Sequence, residues 1–124
     1  MPANVLIVDD SFVARLSLKS ILRERDLVLA EANSGEAALE RISSGAMPDL
    51  VFLDLTMPGK GGLETLRELA SSHPSLPVVV VTADIQARTV EQAKQLGAAA
   101  VVRKPADKGQ VLSAADRLLG LGSS

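Results

Sequence analysis

Short apolar runs recur along the chain with little alternation between apolar and polar positions. Four of them are clear: Val5–Val8, Leu50–Leu53, Val78–Val81 and Ala100–Val102. An unbroken apolar run of this length is typical of a strand that is covered on both faces. A weaker run, Leu27–Ala32, includes Glu31 and indicates a strand at the edge of the sheet. The pattern therefore predicts five strands, four of them buried.

The segments that follow these runs carry apolar residues at helical spacing. The predicted inner faces are marked by Leu18 and Leu22, Ala38 and Ile42, Leu63 and Leu66, Ala93 and Leu96, and Val111 and Ala115. Ser11 and Ser34 precede the first two helices as candidate N-caps. The second helix is predicted to end near Gly45 and the third before Pro74. Gly97 stands where a residue in the left-handed conformation would end the fourth helix.

Five strand-then-helix units in 124 residues predict an α/β fold. Because crossovers between parallel strands are right-handed, the prediction is a doubly wound parallel sheet with helices on both faces. Residues 1–124 are expected to form one domain, with 120–124 as a flexible tail. The apolar fraction is 47%, and Phe12 and Phe52 are the only aromatic residues, so the core is expected to be aliphatic.

Composition and charge narrow the possible functions. A formal net charge of −2 with mixed signs gives no basic patch for nucleic acid, so no direct nucleic-acid binding is expected. The chain has no cysteine, which excludes a disulfide framework and thiolate chemistry. No apolar run approaches the roughly 20 residues of a membrane span, and no signal sequence is evident at the start. We expect a soluble, cytoplasmic protein with no membrane partner.

Polar side chains stand at the ends of four of the predicted strands. They are Asp9, Asp10, Asp54, Thr82 and Lys104. Each has an ordinary explanation on its own, such as a helix cap, a turn or a solvated charge. Open parallel sheets, however, bind ligands at the carboxyl ends of their strands, and these five residues would meet there. Their joint placement favours a functional site.

The three carboxylates predict a site for Mg²⁺. Carboxylates that lie close together repel one another unless a cation offsets their charge. Mg²⁺ suits oxygen ligands and often takes one or two carboxylates with waters and phosphate oxygens. We expect Asp10 and Asp54 as direct ligands, Asp9 as a direct or water-mediated ligand, and the Thr56 backbone carbonyl to complete the site.

The same residues predict phosphoryl chemistry at Asp54. An aspartate can attack phosphorus to form an aspartyl phosphate. Lys104 would neutralise a second phosphoryl oxygen, and the Thr82 hydroxyl would donate to a third. Asp84, two residues after Thr82, either contacts the attacking water of hydrolysis or caps the next helix, and the cap is the favoured interpretation.

These residues lie within segments that resemble the receiver domain of two-component response regulators, as in the chemotaxis receivers. The segments are VLIVDDS at Val5–Ser11, LDLTMPGKGGLE at Leu53–Glu64, VVTAD at Val80–Asp84 and RKP at Arg103–Pro105. The resemblance implies a flavodoxin-like fold with strand order 2-1-3-4-5 and a cis peptide between Lys104 and Pro105, which would aim the Lys104 side chain into the site.

The resemblance also implies function and partners. Asp54 would take its phosphoryl group from a sensor histidine kinase or a phosphotransfer protein, and phosphorylation would change affinity for a downstream target protein. Such a receiver promotes its own phosphorylation and dephosphorylation and is not a turnover enzyme. A monomer or a weak phosphorylation-dependent dimer is expected, in a chemotaxis-type pathway or a phosphorelay.

The sequence departs from the family pattern at the fifth strand. Receivers usually switch by moving an aromatic side chain on this strand inward as the fourth-strand Thr or Ser moves. Here Val101 occupies the aligned position and Ala106 follows Pro105, where the family often has Phe. A β-branched Val has one stiff torsion and little reach, so the aromatic rotamer switch cannot operate. We expect Thr82 and Val101 to be the switch positions, with movement of Thr82 and its loop still possible and no aromatic to follow it.

Two other functions remain open. Phosphatases that use an aspartyl nucleophile in a related fold carry a second Asp two residues later as general acid, whereas this chain has Thr56. The second alternative is that the chain is the receiver half of a longer regulator with a DNA-binding output domain.

Gly59, Gly61 and Gly62 lack the spacing of a phosphate-binding P-loop and are predicted to give flexibility to a turn beside Asp54.

Overall fold

The computed structural model describes residues 2–56 and 61–121. Strands and helices alternate along the chain. The strands are β1 (Ala3–Val8), β2 (Leu27–Ala32), β3 (Leu50–Asp54), β4 (Val78–Thr82) and β5 (Ala100–Arg103). The helices are α1 (Phe12–Leu22), α2 (Gly35–Ser43), α3 (Gly62–Ser72), α4 (Ala87–Gln95) and α5 (Lys108–Leu119). Every apolar run that predicted a strand lies within one. Within the family segment Leu53–Glu64, residues 57–60 lie outside the described residues.

The five strands form one parallel sheet in the order β2-β1-β3-β4-β5. This confirms the order that the family resemblance implies. β2 lies at one edge, where Glu31 is exposed, in agreement with its prediction as an edge strand. The order reverses at β1, which lies between β2 and β3, and such a reversal point is where doubly wound sheets bind ligands.

Two aliphatic layers cover the two faces of the sheet. On one face, strand residues such as Leu6, Val51 and Val80 pack with buried side chains of α2, α3 and α4. On the other, strand residues such as Ile7 and Phe52 pack with α1 and α5. Successive residues of one strand contribute to opposite layers because side chains alternate across a strand. Each buried strand therefore needs apolar residues throughout, which explains the unbroken runs in the sequence.

Helix ends follow local capping chemistry. The Ser11 and Ser34 hydroxyls each accept a hydrogen bond from the amide three residues later, at 3.2 and 3.0 Å, which confirms both predicted N-caps. Asp107 caps α5 in the same way through the amide of Gln110, at 2.8 Å. The sequence analysis missed this cap, although an Asp followed three residues later by Gln is a recognisable start signal. Among the described residues, no helix is both long and apolar enough to span a membrane.

Glycine ends α4 and α5. Gly97 has a φ of 107° just after α4, which confirms its predicted role, and Gly120 has a φ of 63° at the end of α5. A positive φ is easily adopted by glycine and by few other residues. Gly120 is also the first residue of the predicted tail, 120–124. The Leu121 amide donates to the Asp116 carbonyl, and residues 122–124 lie outside the described residues.

Candidate functional site

Four strands bring the predicted residues to one rim of the sheet. Asp54 ends β3, and its partner in the strand register is Val81, the residue before Thr82. Asp9 directly follows β1, whose last residue pairs with Leu53, and Lys104 directly follows β5. Parallel strands end on the same side, so the carboxyl-end placement predicted from the sequence is confirmed.

The three carboxylates form a tight cluster. One oxygen each of Asp9, Asp10 and Asp54 lies within 4.8 Å of the other two. Asp9 and Asp54 are buried, with 1% and 2% of their surface exposed, whereas Asp10 is exposed. Two buried charges and one accessible charge at this separation repel one another strongly unless cations offset them. The cluster is therefore an acidic site that opens to solvent on the Asp10 side.

Lys104 supplies a fixed positive charge to this cluster. Its Nζ lies 2.7 Å from Asp9 Oδ2 and 3.3 Å from Asp54 Oδ1. Burial disfavours the ammonium form, but the hydrogen bond to Asp9 and the negative charge of Asp54 outweigh this effect, so the pKa of Lys104 is raised above its ordinary value. The peptide that links Lys104 to Pro105 is cis, as the resemblance implies. Among the described residues, one ammonium lies against three carboxylates, which leaves the site net negative.

Thr56 holds the Asp54 carboxylate from the loop that follows β3. Its amide donates to Asp54 Oδ1 at 3.3 Å, and its hydroxyl lies 3.2 Å from Oδ1 and 3.4 Å from Oδ2. Among the described residues, every buried polar side-chain atom has a hydrogen-bond partner. These bonds give the Asp54 carboxylate hydrogen-bond donors on the Thr56 side. One of its oxygens still lies within 4.8 Å of the Asp9 and Asp10 oxygens.

Gly62 lets α3 begin directly against this loop. A Cβ on Gly62 would lie 2.3 Å from the Leu55 Cα and 2.4 Å from the Asp54 carbonyl oxygen. The Gly62 amide also donates to the Leu55 carbonyl at 3.3 Å. The predicted role of Gly62 in turn flexibility is therefore wrong: the residue is needed because the backbone approaches too closely for any side chain. Gly59 lies outside the described residues.

Thr82 and Asp84 organise the loop that follows β4. The Thr82 side chain is fully buried, and its hydroxyl accepts a hydrogen bond from the Asp84 amide at 3.1 Å. The Asp84 carboxylate accepts from the Gln86 amide at 3.1 Å and from the Thr89 hydroxyl at 2.9 Å. Asp84 thus holds the start of α4, as the favoured interpretation predicted, although Gln86 rather than Asp84 is the N-cap residue itself.

β5 presents small side chains where the family carries an aromatic. Val101 is half-buried and packs against the layer that contains α3 and α4. Beside it, a groove of about 440 Å³ runs between β5 and α5 and includes Ala100, Ser113 and Arg117 in its lining. Ala106 is half-buried and lines a separate cavity of about 260 Å³ next to Lys104 and Val13. No aromatic side chain fills either space within the described residues.

One further residue, which the sequence pattern does not indicate, contacts the site. Arg15, on α1, donates from its guanidinium to the Asp9 backbone carbonyl at 2.8 Å. The same side chain pairs with Glu31 of β2 at 2.8 Å. No spacing rule connects a helical arginine to a backbone carbonyl that lies six positions earlier. Only the fold shows this contact.

Comparison with known proteins agrees with this geometry. A family model described as the response regulator receiver domain matches residues 5–116. The chain is 38% identical over 118 residues to Protein CcdB of Bacillus subtilis, covering 94% of this chain and 98% of that protein. It is 36% identical over 115 residues to Chemotaxis protein CheY of Listeria monocytogenes, covering 92% and 96% of the two chains.

Solved structures and longer relatives complete the comparison. The receiver domain of NtrX from Brucella abortus superimposes with a TM-score of 0.86 at 32% identity, covering 95% of this chain and 99% of that domain. Other curated relatives are longer proteins, of which this chain spans from 31% to 52%. The matched segment includes all five rim residues, from Asp9 to Lys104. The chain belongs to the family of response regulator receiver domains.

Proposed function

We propose that this chain accepts a phosphoryl group on Asp54 from a sensor histidine kinase or a phosphotransfer protein. Phosphorylation then changes its affinity for a downstream protein, in a chemotaxis-type pathway or a phosphorelay. The observation that carries the proposal is the position of Asp54, which is buried at the carboxyl rim beside the Asp9 and Asp10 carboxylates and 3.3 Å from the Lys104 ammonium. Residues 1–124 act as one receiver unit in this proposal.

The donor set fits Mg²⁺. In the described part of the chain, three carboxylates have oxygens within 4.8 Å of one another and one ammonium opposes them, so a divalent cation would offset the remaining negative charge. All available donors are oxygen atoms, which Mg²⁺ prefers. Asp10 and Asp54 would bind the ion directly, Asp9 directly or through water, and the Thr56 backbone carbonyl would complete the set. Bound there, Mg²⁺ would neutralise charge on a phosphoryl group beside Asp54.

The transfer step uses the Asp54 carboxylate as nucleophile. One oxygen forms a bond to phosphorus, and the phosphorus–nitrogen bond of the donor phosphohistidine breaks. Its electron pair returns to the imidazole nitrogen, and the product is an acyl phosphate. The proposal gives Lys104 the task of pairing with one phosphoryl oxygen, which its raised pKa supports because the amine stays protonated. The Thr82 hydroxyl oxygen accepts from the Asp84 amide, and in the proposal its hydrogen is donated to another phosphoryl oxygen.

The phosphatase interpretation is less well supported. The general acid of that chemistry would stand two residues after Asp54, and Thr56 occupies this position. Its amide and hydroxyl are directed to the Asp54 carboxylate as hydrogen-bond donors. A hydroxyl is a much weaker acid than a carboxyl group, so it is a far less effective general acid for a leaving group at neutral pH. We propose a receiver and not a turnover enzyme.

The partner and the wider protein belong to the proposal as well. This chain spans 98% and 96% of the length of two relatives, which favours a receiver that acts alone on a protein target. The alternative, a receiver joined to a DNA-binding output domain, is supported only in its first part: this chain spans about half the length of two longer relatives, one of them a transcriptional regulatory protein. In either case we propose a cytoplasmic location, no direct nucleic-acid contact by this domain, and a monomer or a weak phosphorylation-dependent dimer.

The direct test is phosphorylation by acetyl phosphate in the presence of Mg²⁺, measured by intact mass. Wild type is expected to gain one phosphoryl group, since the Asp54 oxygen displaces acetate. Asp54→Ala is expected to gain none. Asp26→Asn removes an exposed carboxylate far from the rim and is the matched control, which should behave as wild type. No gain by wild type, or an equal gain by Asp54→Ala, would disprove the proposal.

A further inference from the structure

Arg15 links three parts of the fold beside the acidic cluster. From α1, one guanidinium nitrogen donates to the Asp9 carbonyl at 2.8 Å, and Nε pairs with Glu31 of β2 at 2.8 Å. The guanidinium carbon lies 5.8 Å from the centre of the Phe12 ring. Its side chain is only 15% exposed, although α1 is a surface helix. Arg15 is therefore held in one place by contacts on several sides.

The carbonyl that Arg15 binds belongs to the peptide between Asp9 and Asp10. Because a peptide unit is planar, a hydrogen bond to the Asp9 oxygen also fixes the orientation of the Asp10 nitrogen. The Asp9 side chain has its own anchors, since it accepts from the Ser11 amide at 2.9 Å and from Lys104 at 2.7 Å. The Asp10 carboxylate has no hydrogen-bond partner within the described residues and is exposed. Its placement therefore depends on the backbone that Arg15 holds.

Glu31 balances the charge that Arg15 brings to the site. A bare guanidinium next to the cluster would repel a divalent cation. Glu31 pairs with Arg15 and also with Lys19, at 2.8 and 2.9 Å. The hydrogen bonds from Lys19 and Arg15 lower the pKa of Glu31, so its carboxylate stays charged at neutral pH. Arg15 can thus act as a hydrogen-bond donor to Asp9 while its charge is offset.

We infer that Arg15 is a positioning residue that orients the Asp9–Asp10 peptide, so that the exposed Asp10 carboxylate is presented to a divalent cation together with Asp54. The inference rests on the proposed metal and phosphoryl site. It assigns to Arg15 no contact with the cation or with the phosphoryl group. Residues that hold metal ligands in place typically change metal affinity by about 10- to 100-fold when they are removed.

The test compares Mg²⁺ affinity, measured by calorimetric titration, in Arg15→Ala and Lys19→Ala. Both variants remove one positive charge, and both remove one partner of Glu31. Only Arg15 touches the Asp9 carbonyl. A pure charge effect would strengthen Mg²⁺ binding in both variants, since each becomes more negative. The inference expects the opposite for Arg15→Ala, a loss of about tenfold, with Lys19→Ala equal to wild type or slightly tighter.

A second measurement separates positioning from general damage. Two-dimensional amide spectra without metal should show shifts at Asp10 and Ser11 in Arg15→Ala, with β3 and β4 unchanged. Should Arg15→Ala fail to fold, Arg15→Lys decides the question, because an ammonium keeps the charge near Glu31 but lacks the fork that reaches both partners. Loss of affinity in Arg15→Lys supports the inference.

The outcomes that overturn the inference differ from those that overturn the proposed function. If wild type binds Mg²⁺ and folded Arg15→Ala binds it equally or more tightly, the positioning role is wrong and the proposed site stands. If wild type shows no saturable Mg²⁺ binding, the proposed metal site fails, and the inference fails with it.

Discussion

At the scale of single residues, the rim depends on a glycine that carries no chemistry. Gly62 begins α3 against the backbone of Asp54 and Leu55, where any Cβ would lie under 3 Å from main-chain atoms. Backbone cannot rotate away from such a contact as a side-chain end can. The position of the loop that holds Asp54 is therefore set by the absence of a side chain.

Gly62→Ala is expected to lower the free energy of unfolding by about 1–3 kcal/mol, the usual cost of forcing an extra methyl into a packed site. Urea unfolding would measure this loss. Gly61→Ala is the matched control, because a Cβ on Gly61 meets nothing within 4 Å. Gly61 is the N-cap residue of α3, where alanine caps less well than glycine, so this variant should lose no more than about 0.5–1 kcal/mol. Equal stability of the two variants would contradict the close approach.

Sequence reasoning reached some of these residues and not others for a physical reason. Asp9, Asp54 and Lys104 follow apolar runs, and the end of a run marks the end of a strand. Arg15 and Gly62 act through backbone atoms, a carbonyl in one case and a Cα in the other. Backbone atoms are the same at every position, so the sequence carries no sign of which one a distant side chain will meet.

At the scale of elements, an ion pair ties the end of α1 to α5. Arg25, in the turn after α1, makes two hydrogen bonds to the Asp116 carboxylate of α5, at 2.8 and 2.9 Å. The two residues lie 91 positions apart in the sequence. Both helices pack on the same face of the sheet. The ion pair therefore links α1 and α5 at the protein surface, above the core layer that they share.

This pair predicts a pH dependence of stability. The hydrogen bond from Arg25 lowers the pKa of Asp116 below its ordinary value of 3.8. A carboxyl with a depressed folded-state pKa stabilises the fold above the unfolded-state value and loses that contribution as the pH falls through the folded-state value. Wild type should therefore exceed Asp116→Asn in stability at pH 5–8, and the difference should vanish as the pH falls below about 3.8.

Urea unfolding at a series of pH values would measure this difference. Asp26→Asn, which removes an exposed carboxylate without an ion pair in the described part of the chain, is the control for the change of side chain alone. A difference between wild type and Asp116→Asn that stays constant down to the lowest pH would contradict the assigned cause.

At the scale of the whole molecule, two aliphatic layers are joined through one sheet. The apolar runs predicted the number of strands and their burial, because a strand covered on both faces must be apolar throughout. The runs did not give the strand order, which came from the family resemblance and is confirmed by the structure. Order is set by which strands pair in three dimensions, and the local pattern of one strand contains no information about its neighbour.

The two phenylalanines give a matched test of where the core lies. Phe52 is fully buried in the centre of the sheet, whereas Phe12 on α1 is 64% exposed. Phe52→Ala is expected to lower the free energy of unfolding by about 3–5 kcal/mol, because it leaves a large cavity. Phe12→Ala should change it by no more than about 0.5 kcal/mol. Urea unfolding of both variants checks this, and similar losses would contradict the assignment of the core.

The ion pair between Asp9 and Lys104 has a consequence for the order of synthesis. These residues lie 95 positions apart, one after the first strand and the other after the last. A chain that is still emerging from the ribosome can carry the complete acidic cluster while the lysine has not yet been made. Until β5 joins the sheet, the carboxylates lack the Lys104 ammonium. The acidic cluster can therefore exist before its Lys104 counter-charge does, and the rim gains that charge only once β5 has been made and has joined the sheet.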